Sequence, residues 1–161
     1  IPPIAEFVGR WMRGVSIDPF AGRNPRSTYH NDLGYGGKDA VDWLNDLVAQ
    51  GIKCDTFILD PPYSPRQITE CYASVGKKAT MQDTQSAFYS RVRKAAIPLL
   101  NDGAVLLSFG WNSIGFGEAI EEILIVCHGG WHNDTICMAE KYTKGNDQIS
   151  FLAASCGSEA A

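Results

Sequence analysis

Residues 56–63, Thr-Phe-Ile-Leu-Asp-Pro-Pro-Tyr, decide the predicted fold. The first four form a largely apolar run, which is typical of a central parallel strand that is buried on both faces. The run stops at the acid and the two prolines that follow it. A shorter run, residues 15–17, ends in the same way at Asp18-Pro19-Phe20. Two strands are therefore predicted to end on an acid followed by proline.

Helices and further strands alternate on either side of these two runs. The spacing of apolar residues locates them, and Pro98 should distort the last turn of the third helix. The final two strands are too close in sequence for a helical crossover, so they should pair antiparallel. The predicted helices are residues 4–11, 38–50 and 83 or 84 to 100. The further predicted strands are residues 27–30, 104–109, 122–128 and 135–140. A turn is predicted at residues 101–103 and a long loop at residues 64–82.

This order of elements predicts an α/β fold. We expect a Rossmann-like, twisted, mostly parallel sheet with helices on both faces and an antiparallel C-terminal hairpin at one edge. The chain has 161 residues, 45% of them hydrophobic, which is enough for one core and excludes two large domains. A single domain over residues 1–144 is expected, followed by an extension or tail over residues 145–161.

Composition also limits the class of protein. No stretch approaches the roughly 18 apolar residues of a membrane span, and residues 1–3 lack the pattern of a signal peptide, so a soluble, cytoplasmic protein without a membrane partner is expected. The five cysteines contain no C-x-x-C pair, which favours reduced, packed thiols over disulfides or a zinc cluster. The formal net charge of −4 excludes binding to nucleic acid by overall charge alone, so such binding needs a local patch or a partner.

The two acid-proline strand ends predict one shared site. The carboxyl ends of parallel strands lie at the same edge of a sheet, and ligands bind in the crevice there. A single Asp-Pro pair is commonly a turn signal, but two such pairs at matching strand ends bring two carboxylates and two aromatic rings to one place.

At these residues the sequence resembles a known family. Asp60-Pro61-Pro62-Tyr63 looks like the catalytic motif of amino-group DNA methyltransferases, and Asp18-Pro19-Phe20-Ala21-Gly22 resembles their cofactor loop. Residues 31–33, 108–112 and 128–135 extend the resemblance to small phage-type adenine-specific enzymes, with a reduced version of the methyltransferase fold. The activity implied is methyl transfer to the exocyclic amine of adenine in DNA.

The implied chemistry rests on hydrogen-bond acceptors. An exocyclic purine amine is a poor nucleophile because its lone pair is delocalised into the ring. Asp60 and the carbonyl of Pro61 can each accept one amine hydrogen and so favour a tetrahedral nitrogen. Pro62 helps fix the direction of the carbonyls, and Tyr63 would stack on a base rotated out of the duplex.

The resemblance also implies a cofactor, S-adenosylmethionine (SAM). Asp18 would lie near its methionine amino group, and Asp32 would accept bonds from its ribose hydroxyls. Asp39 is a candidate for the adenine edge, although a residue in the first turn of a helix explains it equally well. The remaining cofactor-binding candidates are Phe7, which core packing also explains, and Pro19, Phe20, Ala21 and Gly22.

The sequence departs from the family pattern after Gly22. Only residues 19–26 separate the first two strands, which is shorter than a usual parallel crossover, so either the second strand is rudimentary or the chain crosses without a helix. No separate target-recognition domain is expected, so loop 64–82, a second subunit, self-association or another protein would read the sequence. The candidate substrate-binding residues are Ser64, Arg66, Lys77, Lys78, Trp111 and Asn112.

Other interpretations remain open. The short cofactor loop and the acidic charge also fit a non-catalytic binding or scaffolding subunit. A similar strand-end motif serves methyltransferases that act on a cytosine amine, on RNA or on protein glutamine. His128, His132 and Asp134 suggest a metal site, but a Gly-Gly hairpin with polar residues is the commoner explanation, and no metal is expected.

Overall fold

The computed structural model describes residues 2–62, 69, 72–73, 76, 86–130 and 133–145. Six strands form one sheet in the order β2-β1-β3-β4-β6-β5. Pairing is parallel from β2 through β1 and β3 to β4, and β6 lies antiparallel between β4 and β5. The strands are β1 (Ser16–Asp18), β2 (Tyr29–His30), β3 (Cys54–Leu59), β4 (Leu100–Gly110), β5 (Ala119–Val126) and β6 (Thr135–Lys141).

Three α-helices pack on this sheet: α1 (Pro2–Trp11), α2 (Ala40–Ala49) and α3 (Ser86–Ala96). Two short 3-10 helices, Leu33–Tyr35 and Ile97–Leu99, are also present in the described residues, and Thr69, Tyr72 and Ala73 have helical conformation. Pro98 lies in the second of them, so the third helix ends four residues before the predicted residue 100. The physical reason is that proline removes a backbone donor and constrains the preceding turn.

The core lies on both faces of the sheet because side chains alternate along each strand. Phe57 and Leu59 of β3 pack with α2 and α3, whereas Ile58 faces the cluster that contains Phe7 of α1. This division confirms the predicted α/β fold, with a mostly parallel sheet, helices on both faces and an antiparallel hairpin at one edge.

The crossover from β1 to β2 contains no helix, and β2 has only two residues. The two interpretations of the short spacing, a rudimentary second strand and a crossover without a helix, are therefore both correct. The two strands still pair in parallel, with Ile17 opposite Tyr29 and Asp18 opposite His30.

The predicted turn at residues 101–103 is wrong, because these residues belong to β4. The Gly103 N–H donates to the Tyr142 carbonyl at 3.0 Å, and the Tyr142 N–H donates to the Ala104 carbonyl at 2.9 Å. Residues 101–103 lie where the pairing of β4 with β3 is irregular, between the partners of Cys54 and Thr56. Contacts distant in sequence thus override the local turn signal.

Parts of other predictions fall outside the described residues. Within the predicted loop 64–82, Thr69, Tyr72 and Ala73 have helical conformation, so the loop prediction is wrong at these three positions. The proposed helix caps at residues 83 and 84 and the segment 146–161 lie outside the described residues. Among the described cysteines, Cys54 and Cys137 are free and buried as predicted, whereas Cys127 is free but exposed. In the part of the chain that is described, no helix has the length and apolar character needed to cross a membrane.

A buried carboxylate holds the connection between β4 and β5. Glu140 of β6 is 1% exposed and accepts the backbone N–H groups of Phe116, Gly117 and Glu118 at 2.8, 2.9 and 3.0 Å. The pKa of Glu140 is raised on balance, because burial raises it by more than these N–H groups and the nearby Arg93 lower it. A buried carboxylate is tolerated when its oxygens are hydrogen-bonded in this way.

We expect Glu140→Ala to lower the free energy of unfolding by about 3 kcal/mol, because three N–H groups lose their acceptor. Urea denaturation measures this. The control is Glu121→Ala, an exposed acid on β5, which should cost less than about 0.5 kcal/mol. Equal losses in the two variants would contradict the role given to Glu140.

Candidate functional site

Three neighbouring strands end on acids at one edge of the sheet. Asp18 ends β1, Asp32 follows β2 by two residues, and Asp60 follows β3 directly. A pocket of about 230 Å³ opens there. Its lining residues are Pro19, Phe20, Asn31, Asp32, Leu33, Lys38, Asp39, Ala40, Asp60, Pro62, Tyr72 and Phe88. The pocket therefore joins the two acid-proline segments, as their matching strand ends predict.

Of these acids, Asp18 has the pKa that its surroundings shift most clearly. Burial raises its pKa from 3.8 to about 7, and the charges of Asp60 and Asp32 add to this rise. The Phe20 N–H opposes it by donating to Asp18 Oδ1 at 2.9 Å. An acid held near other acids and away from water is a common feature of functional sites. Asp18 therefore lies close enough to Asp32 and Asp60 for their charges to act on it, although only Asp32 and Asp60 line the pocket.

Backbone hydrogen bonds fix the loop after β1 although no helix follows it. The Asn31 N–H donates to the Asp18 carbonyl at 2.9 Å, and the Ala21 N–H donates to the Asn31 carbonyl at 3.0 Å. The Gly22 N–H donates to Asp32 Oδ2 at 3.0 Å, with Gly22 at a φ of 62° that favours glycine. The segment 18–22 is thus bound to the end of β2.

Asp32 has a structural partner on each oxygen. Its Oδ1 accepts the Gly34 N–H at 2.8 Å and so caps the 3-10 helix Leu33–Tyr35, while Oδ2 accepts the Gly22 N–H. Each carboxylate oxygen has two lone pairs, so Asp32 can still accept hydrogen bonds from a ligand.

Asn31 is a site residue to which the sequence analysis gave no role. Its Oδ1 accepts the Lys38 N–H at 3.0 Å, and its Nδ2 donates to the Lys38 carbonyl at 2.9 Å and to the Pro19 carbonyl at 3.4 Å. The buried amide therefore holds the chain before α2 against the loop after β1. Its position beside Asp32 at a strand end was the available signal.

Asp39 lines the pocket and also caps α2. Its Oδ1 accepts the N–H groups of Val41 and Asp42 at 3.0 and 3.4 Å, and its Oδ2 accepts the Tyr72 hydroxyl at 2.7 Å. The alternative offered for Asp39 is a residue in the first turn of a helix, and the structure places it one position earlier, as the N-cap of α2. A role at an adenine edge stays a prediction.

The acid-proline-proline segment borders the pocket. Asp60 is exposed, Pro61 is buried and Pro62 is half-buried, and Asp60 and Pro62 both line the pocket. The Tyr89 hydroxyl of α3 donates to the Pro62 carbonyl at 3.1 Å. Tyr63 lies outside the described residues, so its predicted stacking stays a prediction.

Other predicted site residues lie away from this pocket or outside the described residues. Phe7 is fully buried and packs edge-on against Phe109 with 6.3 Å between ring centroids. Core packing therefore explains Phe7, because α1 covers the other face of the sheet. Trp111 is 58% exposed, and neither it nor Asn112 lines the pocket. The candidate substrate-binding residues Ser64, Arg66, Lys77 and Lys78 lie outside the described residues.

The sequence analysis missed several pocket residues besides Asn31. Phe88 of α3 packs edge-on against Phe20 with ring centroids 6.0 Å apart, but its helical spacing indicated only a core position. Lys38 lines the pocket and forms an ion pair with Asp46 at 2.6 Å. Tyr72 carried no signal, because its partner Asp39 is 33 residues away.

The segment between β5 and β6 has the contacts of a hairpin connection. Asp134 accepts the His128 N–H at 3.0 Å, and His128 Nε2 lies 2.9 Å from the Thr135 hydroxyl. His132 lies outside the described residues. Across the residues that are described, no three potential metal ligands come together.

The pocket combines acidic and apolar groups. Phe20, Phe88 and Leu33 offer apolar surface, while the carboxylates accept hydrogen bonds and attract positive charge. Such a site suits a ligand with a flat apolar group, hydroxyl groups and a cationic end.

Comparisons with known proteins give structural likeness only. No family model and no curated protein matches the chain. TrmN from Thermus thermophilus is 14% identical with a TM-score of 0.48, over 88% of this chain and 48% of that one. SMU.776, described as a methyltransferase and crystallised with SAH, is 12% identical with a TM-score of 0.47, over 72% and 32%. The hypothetical protein TTHA0928, also from T. thermophilus, is 13% identical with a TM-score of 0.42, over 86% and 82%.

The chain spans about a third of SMU.776 and about half of TrmN.

We expect Asp18→Asn to gain stability relative to the wild type as pH rises from about 4 to about 7. Folded Asp18, with a pKa of about 7, keeps a proton that the unfolded chain has released above a pKa of 3.8, so its contribution to stability is lost as pH rises through this window. The difference between the two proteins should grow by an amount on the order of 4 kcal/mol. Urea denaturation at several pH values measures it. A difference independent of pH would show that Asp18 is not shielded from water.

Proposed function

We propose that the protein is a SAM-dependent methyltransferase that acts on the exocyclic amine of adenine in DNA. The observation that carries this proposal is a pocket at the carboxyl edge of a parallel sheet, which Asp32 and Asp60 line and beside which Asp18 lies close enough for the charges of both to act on it. When bound, SAM supplies an electrophilic methyl group on a positively charged sulfur. The resemblance of the two acid-proline segments to the motifs of amino-group methyltransferases supports the same conclusion.

The pocket residues fit SAM in chemistry and order. Asp18 offers a carboxylate whose ionisation a cationic amino group would favour, because the opposite charge offsets the cost of burial. Asp32 keeps acceptor capacity for ribose hydroxyls. Between these two acids, Pro19 and Phe20 line the pocket, and the Ala21 and Gly22 N–H groups hold the loop to Asn31 and Asp32. In this arrangement the methionine end would lie nearer Asp60 than the adenine end does.

The reaction needs an amine that is held and made nucleophilic. Asp60 is exposed within the pocket and can reach a base that enters from solvent. In the proposed mechanism Asp60 and the Pro61 carbonyl each accept one hydrogen of the amine, which concentrates the lone pair on nitrogen. No covalent intermediate with the protein is needed. Tyr63 would stack on the everted base.

Adenine is favoured over other amines by the acid at position 60. Within the resembling family, Asp before the two prolines is associated with adenine, although the tendency is not absolute. Cytosine amines, RNA and protein glutamine are the competing substrates. A non-catalytic scaffolding subunit is the alternative from another class, and the intact motif at residues 60–63 argues against it.

Recognition of the DNA sequence is assigned to residues outside the described pocket. We propose Arg66, Lys77 and Lys78 as phosphate contacts, since basic side chains close in sequence to the catalytic motif can position a duplex, and Ser64 as a further substrate contact. Trp111 and Asn112 follow β4, the strand beside β3, and are proposed to contact the base from that side. A second subunit or self-association would supply further contacts, and the protein would act in the cytoplasm.

We expect the affinity for SAM to rise by up to about tenfold per pH unit between about pH 5 and about pH 7, and then to level off. Binding of a cationic group to ionised Asp18 requires release of the proton that its raised pKa retains. Isothermal titration calorimetry measures the affinity. Asp18→Asn should bind more weakly and without this pH dependence, and absence of binding by the wild type at every pH would favour the scaffolding alternative.

We expect Asp60→Ala to reduce methyl transfer to unmethylated DNA at least about 100-fold, because an acceptor aimed at the reacting amine is lost. The assay measures incorporation of tritiated methyl groups. Its control is Asp42→Ala, an exposed acid on α2, which should retain wild-type incorporation.

The same assay separates the substrates. RNA and a glutamine-containing peptide are offered in parallel with DNA. Incorporation into either of these, but not into DNA, would replace the proposed substrate. Equal incorporation by wild type and Asp60→Ala would remove Asp60 from the reaction.

A further inference from the structure

The segment with two consecutive prolines needs a hydrogen-bond donor from elsewhere. Pro61 and Pro62 have no backbone N–H, so this stretch cannot donate to a neighbouring strand. It can be fixed only by packing and by donors that reach its carbonyl oxygens. In this structure a donor comes from α3, where the Tyr89 hydroxyl lies 3.1 Å from the Pro62 carbonyl oxygen.

The helix that carries Tyr89 is a rigid support. Val92 and Ala96 are fully buried in the core, and Arg93 Nη1 donates to the Gly115 carbonyl at 2.9 Å. Phe88, the residue before Tyr89, packs against Phe20 of the loop after β1. One turn of α3 therefore contacts both acid-proline segments.

Tyr89 is also placed close to the acid of the motif. Burial raises the pKa of Tyr89, and the charge of Asp60 raises it further. The hydroxyl therefore keeps its proton at neutral pH and remains a donor. Its proton is directed at the Pro62 carbonyl, which leaves the Pro61 carbonyl as the backbone acceptor that the proposed reaction uses.

We infer that Tyr89 is a positioning residue: its hydroxyl holds the Pro62 carbonyl and so orients Asp60 and the Pro61 carbonyl toward the amine. This inference rests on the proposed function. The residue does not itself touch substrate in this account. Its contribution is to the precision of the acceptor pair, to which rates are sensitive at the level of about 1 Å.

The test uses Tyr89→Phe, which removes the hydroxyl and keeps the ring. We expect kcat for methyl transfer to DNA to fall about tenfold, whereas the Kd for SAM and the melting temperature stay near the wild-type values. Tyr35→Phe is the matched control. Tyr35 is 61% exposed and does not line the pocket, so its loss of a hydroxyl should leave all three quantities unchanged.

Two results would overturn the inference. An unchanged kcat would show that the hydrogen bond does not position the motif. A parallel decline of kcat, SAM affinity and melting temperature would show that Tyr89 only supports the fold.

Crystal structures of the wild type and Tyr89→Phe separate this inference from the proposed function. A displaced Pro62 carbonyl in the variant supports the inference even if the wild type transfers no methyl group, in which case the proposed function alone fails. An unmoved Pro62 carbonyl overturns the inference whatever the activity.

Discussion

Parallel pairing of β1 with both β2 and β3 is the constraint on which the site depends. It brings the carboxyl ends of three strands to one edge, so Asp18, Asp32 and Asp60 meet although they are up to 42 residues apart in sequence. Like charges gathered in a partly buried place oppose their own ionisation, as the raised pKa of Asp18 shows. The arrangement is therefore costly when empty, and a cationic ligand offsets that cost. The same geometry that positions the acids would thus also favour a positively charged ligand.

Much of the fold could be predicted from local patterns. Alternation of apolar runs and helical periods located the central strand at residues 54–59 and the C-terminal hairpin to within a few residues. The placement of Asp18 and Asp60 at neighbouring strand ends could be predicted because an acid and a proline at a strand end leave a recognisable signature. The rest depends on contacts between distant segments. Helical spacing placed Phe7 on an apolar face but did not say which side of the sheet α1 would cover.

Several residues that escaped prediction act through a partner in another segment of the chain. Asn31 serves the backbone of Lys38 and Pro19, and Tyr89 serves the Pro62 carbonyl. At residues 101–103 the local preference for a turn is overcome because hydrogen bonds link β4 to the end of β6. A single sequence carries no record of such pairings, since the amide of an asparagine or the hydroxyl of a tyrosine has no periodicity.

In the helix-free crossover between β1 and β2, part of the chain does not contribute to the shape of the pocket. Its fixing bonds join Ala21 to Asn31 and Gly22 to Asp32, while residues 23–26 lie exposed beyond them. These four positions can therefore change in sequence, or accept a grafted peptide, with the hydrogen bonds beside the pocket left intact. A minimal scaffold of this kind offers a permissive insertion point directly beside its working surface.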